Sequence, residues 1–566
     1  MRGPFRHFTL AVLLLFAVLG LLLPGDSIQA QETEPAALIV GSVKDSQGQP
    51  VVDARVTLLK DNESDPLMET ITQADGRYTL APPAEFQDTL SVHVERAHFH
   101  DYSLRLTPNE ILKLNAGDAI VMQEITLQRL INPAFWVATL VFVLVLALIA
   151  TGIIHNTLAA LVGVTILYGV SYLGPILSDG LFIFDFTSSM RYIDWNVIFL
   201  IMGMMIVIAV VENTGVFQWL AFFAYRVSGG RTWLLLPILM MITGIASAFL
   251  DNVTTMLLMT PITVQISLAL GINPLALLIP EVMASNVIGV STLVGTPTNI
   301  LIGSYADISF TDFLVNLTPG VLMAFAGLLV YCFLVFRREL AVAHDASPLL
   351  MEKLAERGQI TEPEQLKKAA VVFAGMLVLF VIGEHYHMLP AVTALMGATV
   401  LLIWIKPDIG EMIEAVDWTT LVFFISLFIV VGGIQEVGLI SLIADVIARM
   451  VGDNLLLTML AVTWLSAFLS MVIANIPFTA AMLPVIAFLT ATVPGAESKV
   501  LFYCLSVGAA MGGNGSLIGA SANMVTAGIS EAAGYPITYS YFIKKGFPAL
   551  LITVALAMVW LLIRFL

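Results

Sequence analysis

A helix needs about 20 predominantly apolar residues to cross a bilayer, and this sequence supplies such segments while repeatedly breaking them. Apolar runs lie at 134–154, 157–176, 194–211, 232–250, 256–270, 275–305, 313–336, 369–382, 389–405, 417–434, 455–473, 480–493, 499–531 and 547–566. Several are too short, or are cut at their centres by Gly, Pro and Asn. Irregular backbone at membrane depth is tolerated only where it faces protein, ions or water, so interrupted spans point to a transporter-like body. With 58% hydrophobic and 12% charged residues, a soluble enzyme is excluded.

The formal charge of −16 is unevenly spread: residues 31–130 hold 8 basic and 16 acidic groups, half of the excess. This polar block follows Arg2, Arg6 and an apolar run over Leu10–Leu23. That is the layout of an export signal, cleaved after Ala30 or kept as an anchor. Either places 31–130 outside the cytoplasm. Alternation in Ala54–Leu58 and Leu90–Val94, bounded by turns at Ser46-Gln47-Gly48 and Ala74-Asp75-Gly76, predicts short strands. His93, His98 and His100 are close in sequence, with the last two expected on one strand face. Two His do not complete a metal site. Cys332 and Cys504 lie in apolar runs and offer no disulfide framework.

If 232–250 with 256–270, and 455–473 with 480–493, are hairpins that enter and leave on one side, ten spans remain. Eleven of the fifteen basic residues of the body, among them Arg226, Arg337, Lys367 and Lys545, then fall inside and four outside, as the positive-inside rule requires. At an offset of 223 the sequence repeats itself: Asp194-Trp195 meets Asp417-Trp418, Gly215 meets Gly438, Asn252 meets Asn475 and Pro261 meets Pro484. One residue further, Gly295–Asn299 meets Gly519–Asn523. Five crossings separate the copies, so the repeat is expected to be inverted. The expected fold is thus a polytopic α-helical membrane protein with inverted-topology repeats, two re-entrant hairpins, broken helices and a small extracytoplasmic β-sandwich. Its divisions are 1–30 (signal or anchor), 31–130 (sandwich), 131–336 (first repeat), 337–368 (cytoplasmic linker) and 369–566 (second repeat).

The breaks are rich in neutral oxygen. Asp251, Asn252, Thr254 and Thr255 occupy the first hairpin tip, and Asn286, Thr296, Thr298 and Asn299 the first broken helix. Asn475 and Thr479 occupy the second tip, and Asn514, Ser516, Ser521 and Asn523 the second broken helix. Such oxygens with freed carbonyls suit Na⁺, while half-helix N-termini suit an anion. Candidate Na⁺ ligands are Asn252, Thr255, Thr298 and Asn299, then Asn475, Thr479, Ser521 and Asn523. Asp251 is either an ion ligand or the cap of the returning helix. Glu281 lies at depth or at the inner interface. Glu212, Glu436, Asp194 and Asp417 mark span ends. Alanine at Asn252 or Asn523 is expected to abolish transport with little effect on folding.

The stretches Leu250-Asp-Asn-Val-Thr-Thr-Met-Leu-Leu-Met-Thr-Pro-Ile-Thr, Ala474-Asn-Ile-Pro-Phe-Thr-Ala and Gly512-Gly-Asn-Gly-Ser-Leu-Ile-Gly-Ala-Ser-Ala-Asn closely resemble the P protein and arsenite permease, citrate-transporter-like branch of the ion transporter superfamily. Gly41–Val51, Ala54-Arg-Val and Asp75-Gly-Arg-Tyr-Thr-Leu resemble the carboxypeptidase-regulatory-like sandwich. The first resemblance implies a homodimer with elevator-like transport domains and, in sodium-coupled relatives, bound Na⁺. The first break departs from the branch's Gly-Asp-Pro-Pro-Asn: Gly295-Thr-Pro-Thr-Asn299 is nearer the divalent anion:sodium symporters.

The expected function is secondary active transport of a small ion or carboxylate (dicarboxylate or citrate, arsenite, or the Na⁺/H⁺ class), coupled to Na⁺ or H⁺. A passive anion channel is the alternative. No His-Glu-x-x-His, Ser/His pair or phosphate-cradling loop supports an enzyme. No cofactor beyond the coupling ion is expected. The expected partners are the substrate, the bilayer and a second copy of the chain, with no nucleic acid, and the expected location is a bacterial plasma membrane.

Overall fold

The computed structural model describes residues 38–46, 48–60, 66–82, 89–116, 118–122, 124–341, 358–452 and 454–566. The expected signal or anchor at 1–30 lies outside the described residues. Two compact units divide at Leu130 and Ile131.

In the first unit the alternating stretches become eight strands: β1 (Ile39–Asp45), β2 (Arg55–Lys60), β3 (Met68–Ile71), β4 (Arg77–Leu80), β5 (Leu90–Glu95), β6 (Tyr102–Arg105), β7 (Ile120–Val121) and β8 (Ile125–Leu127). Helix α1 (Pro108–Asn115) precedes β7, its start fixed by a capping box between Thr107 and Glu110. One sheet runs β3-β2-β5-β6; the other runs β4-β1-β7, with β8 also pairing β1. The buried residues of β1, β2, β4, β5 and β8 close one core between the sheets. His98 and His100 share no strand face. His98 is buried in a turn with φ of 66°, because the chain reverses between β5 and β6. His93 instead meets Glu95 at 3.0 Å, with Asp101 nearby on an exposed edge.

Tyr78 brings a hydroxyl into this core. Its ring lies over Gly41, where an added Cβ would sit 2.5 Å from the hydroxyl oxygen. That hydroxyl is buried without a hydrogen-bond partner, and burial first, then Tyr102, pushes it up to about 12.

The second unit is helical. Its main helices are α2 (Pro133–Thr151), α3 (Asn156–Leu173), α4 (Trp195–Glu212), α5 (Val216–Ser228), α6 (Thr232–Phe249), α7 (Asn252–Ala269), α8 (Leu275–Ile288), α9 (Pro297–Ala306) and α10 (Phe310–Leu340). These are followed by α11 (Pro363–Ile382), α12 (Pro390–Ile405), α13 (Trp418–Glu436), α14 (Leu439–Val451), α15 (Leu455–Val472), α16 (Asn475–Thr492), α17 (Val500–Gly512), α18 (Ser521–Ala532) and α19 (Tyr539–Phe565). Among the described residues, eleven helices are long and apolar enough to cross a membrane. The segment expected as a linker at 337–368 is helical at both ends, since α10 runs on through Arg337 and Arg338 to Leu340 and α11 begins at Pro363. Long basic side chains let a helix continue past the apolar window while the charges reach water.

Helices α2–α10 recur, in order, as α11–α19, and the two sets exchange partners. Helix α4 packs on α12 and α13 on α3; α7 packs on α18 and α16 on α9; α10 packs on α19. Each set therefore completes its core with elements of the other. Capping side chains start several helices: Asp194 accepts from the Asn196 and Val197 amides, and Asp417 from the Thr420 amide. Glu436 accepts from the Tyr192 hydroxyl.

In the sandwich, removing the orphaned hydroxyl with Tyr78→Phe should stabilise the fold by about 1 kcal/mol. Because the folded hydroxyl's pKa is raised, the wild type holds its full stability below pH ~10 and loses it as pH rises toward about 12. Tyr78→Phe should lack that alkaline loss. Thermal unfolding followed by near-ultraviolet circular dichroism checks this, and parallel alkaline profiles would count against it.

Candidate functional site

Both broken helices fail at the same place for the same reason. After α8 a short 3₁₀ turn, Gly289–Ser291, gives way to extended backbone before Pro297 restarts the helix. After α17 the turn Gly513–Gly515 does the same before Ser521. The exposed backbone groups are then closed by matched side chains. Asn299 Nδ2 donates to the carbonyls of Val290 and Thr292 at 2.9 and 2.8 Å. Asn523 Nδ2 donates to those of Gly513 and Ser516 at 2.8 and 2.9 Å. Thr292 donates to the Ala248 carbonyl and accepts from the Gly295 amide; Ser516 does the same with Met471 and Gly519. Ser247 binds the Ser285 carbonyl, and Ser470 the Ala509 carbonyl. Backbone also approaches backbone here. A Cβ on Gly295 would lie 2.4 Å from the Gly289 carbonyl oxygen, and one on Gly519 2.8 Å from that of Gly513.

Asn286 joins the halves. Its Oδ1 accepts from Asn252 Nδ2 at 2.8 Å, and its Nδ2 donates to Asn514 Oδ1 at 2.9 Å and to Asn523 Oδ1 at 3.0 Å. Asn299 reaches the other half through Ser506, whose hydroxyl donates to Asn299 Oδ1 at 2.6 Å. The four linked amides Asn252, Asn286, Asn514 and Asn523 are buried, as are Asn299 and Ser506.

The other candidates are placed differently. Asp251 caps α7: one oxygen accepts from the Val253 and Thr254 amides and the other from the Thr254 hydroxyl at 2.5 Å. Of the two roles open to Asp251, the cap is the one the contacts describe. Thr255 and Thr479 donate to the carbonyls of Asp251 and Asn475, one turn back. Thr296 and Thr298 pair at 3.1 Å. Asn475 is buried at the start of α16, its amide on the Gly519 carbonyl, and Ser521 is half-buried at the start of α18. Asp251 caps α7, but α9, α16 and α18 start without a side-chain cap. A helix N-terminus without a side-chain cap still carries the positive end of the helix dipole, although the first amide of α16 is taken by the Gly519 carbonyl.

Asn523 has a role that its sequence position conceals. It was expected as a ligand oxygen separable from folding, yet its amide nitrogen holds two buried carbonyls in place. Glu281 is enclosed by protein, its side chain 0% exposed. Ser506 escaped sequence reasoning because its partner in the repeat is Val282, so self-alignment carries no signal there. Thr292 and Ser516 do align, at an offset of 224.

Residues 144–502 match the family model described as citrate transporter, and residues 39–127 that of the carboxypeptidase regulatory-like domain. The chain is 37% identical over 431 residues to a 46 kDa membrane protein of Mycobacterium leprae, covering 76% of this chain and 99% of that protein. It is 36% identical over 430 residues to an uncharacterized transporter of Mycobacterium tuberculosis, covering 76% and 98% respectively. It is 31% identical over 511 residues to the human P protein, covering 75% of this chain and 59% of that one.

Removing Asn299 or Asn523 strands two buried carbonyls, at about 1–3 kcal/mol each, whereas removing Asn252 gives up one amide contact. Asn299→Ala and Asn523→Ala should therefore lower the thermal midpoint of the detergent-solubilised protein clearly more than Asn252→Ala. Equal midpoints in the three variants would refute the clasp.

Proposed function

The chain belongs to the citrate transporter family and is an integral membrane transporter, and from that premise we propose a secondary active carrier of a small ion or carboxylate, coupled to Na⁺ or H⁺. The observation that carries this reading is the meeting of uncapped helix starts with buried neutral amides. The positive dipole ends of α9, α16 and α18, which carry no side-chain cap, suit a carboxylate or other small anion. The amide and hydroxyl oxygens around them suit a dehydrated cation, with candidate ligands Asn252, Thr255, Thr298 and Asn299 in one half and Asn475, Thr479, Ser521 and Asn523 in the other. Thr255 and Thr479 spend their hydrogens on helix carbonyls, which leaves their lone pairs for a cation.

In this reading α2–α10 and α11–α19 are inverted repeats, and the pairs α6–α7 and α15–α16 are re-entrant hairpins. Setting those four helices aside, and counting the shorter apolar helices Leu275–Ser291, Pro390–Ile405 and Val500–Gly515, ten crossings remain. The sandwich then lies on the extracytoplasmic side of a bacterial plasma membrane, a location in keeping with the mycobacterial relatives. Elevator movement of the hairpins and broken helices within a homodimer belongs to the same proposal.

Purified protein in liposomes, screened with citrate, a dicarboxylate, arsenite, Na⁺ and Cl⁻ with and without Na⁺ or pH gradients, should show saturable accumulation of at least one solute against its gradient. Absence of any gradient-driven flux would overturn the carrier. Non-saturable downhill anion flux alone would favour a channel. Deleting 31–130 should leave transport in place, and its loss would make the sandwich part of the machinery.

A further inference from the structure

Glu281 lies on α8, five residues before Asn286, and none of the contacts that close the amide network uses it. One carboxyl oxygen accepts from the Thr243 hydroxyl of α6 at 2.8 Å. The other, Oε2, is buried with no hydrogen-bond partner. Thr263 of α7 faces this carboxyl without completing a bond to it. Thr260, one turn earlier on the same helix, likewise buries an unpartnered hydroxyl. Among the described residues, no cation acts on this carboxyl. Helices α6 and α7, which pack directly on α8, carry no ionisable side chain. Among the other packed elements, α10 carries Asp312, Tyr331, Cys332, Arg337, Arg338 and Glu339, α17 carries Tyr503 and Cys504, α18 carries Glu531, and α19 carries Tyr539, Tyr541, Lys544, Lys545 and Arg564. None of these reaches the Glu281 carboxyl.

An ionised carboxylate so enclosed, with no cation beside it, is strongly disfavoured. A protonated one turns Oε2 into a donor aimed at a side of the site where a hydroxyl waits as acceptor. The repeat shows that the fold does not require an acid here: the equivalent residue in α17 is Leu505, equally buried. A buried acid that the matching half replaces with leucine is retained for something other than packing.

We propose that Glu281 is a proton-carrying carboxyl of the transporter, taking its proton from water when α6 and α7 expose it on one side of the membrane and returning it to water on the other. The step moves one proton between water and Oε2 and breaks no other bond. It rests on the carrier reading above and names the coupling group within it. The neighbouring Asn286 connects the same helix to the amide network, so the charge on Glu281 and the state of the site share one rigid element.

The test uses the full chain in liposomes with two readouts. Infrared difference spectra in H₂O and D₂O should show a protonated-carboxyl band that titrates in the wild type and is missing in Glu281→Gln. Radiolabelled citrate is the flux probe. One pH unit of gradient coupled to one proton sustains about tenfold accumulation. The wild type should approach this, whereas Glu281→Gln should accumulate none while keeping citrate counterflow, which a merely structural lesion would also abolish. Accumulation unchanged in Glu281→Gln, or a wild-type carboxyl that stays ionised and responds to Na⁺ alone, overturns the proposal. If wild type moves no citrate, the citrate-carrier reading fails, and the infrared band still decides whether Glu281 holds an exchangeable proton.

Discussion

A backbone amide or carbonyl that leaves a helix inside a membrane protein must find a partner, and everything at the centre of this structure follows from how that debt is met. Two helices are interrupted, and each interruption frees carbonyls where water is scarce. Asn299 and Asn523 each hold two of those carbonyls, while Thr292 and Ser516 tie the breaks to the ends of α6 and α15. The glycines beside them allow backbone to lie against backbone. What results is rigid where the chain is irregular, and it leaves the starts of α9, α16 and α18 without side-chain caps. These are the groups a transported ion would be offered.

The same architecture occurs twice, but its chemistry does not. Asn286 faces both halves and is matched in the repeat by Ala510; Asp251 is matched by Ala474, and Glu281 by Leu505. The shared set of clasps supports the backbone, and unshared polar residues lie in both halves, since Ser506 is matched by Val282 and Asn514 by Val290. The two sets of helices share their clasps and differ in the polar residues around them. Because α7 packs on α18 and α16 on α9, neither set completes its packing alone.

Much of this was legible before any coordinates. Interrupted hydrophobic runs marked the broken helices, the offsets of 223 and 224 paired Asn252 with Asn475 and Asn299 with Asn523, and period-two alternation marked the strands of the sandwich. Other features were hidden for physical reasons. Helix α10 outruns its apolar window because arginines extend to water. His98 lies in a reversal that alternation does not predict. Thr255 and Thr479, read as ligands, first satisfy their own helices, a choice set by rotamer and not by residue type.

Sequence alone determined the class of this protein, its two unlike parts, its duplication and the oxygen-rich breaks, because hydrophobic length, periodicity and self-similarity are properties of the linear chain. Only the tertiary structure decided which amide faces which. Asn286 meets Asn514 and Asn523, more than 200 positions away, and Ser506 meets Asn299. It also decided that Glu281 is sealed from water. Partnership and burial arise when the two halves interlock, and no local pattern encodes the neighbour that another part of the chain will bring.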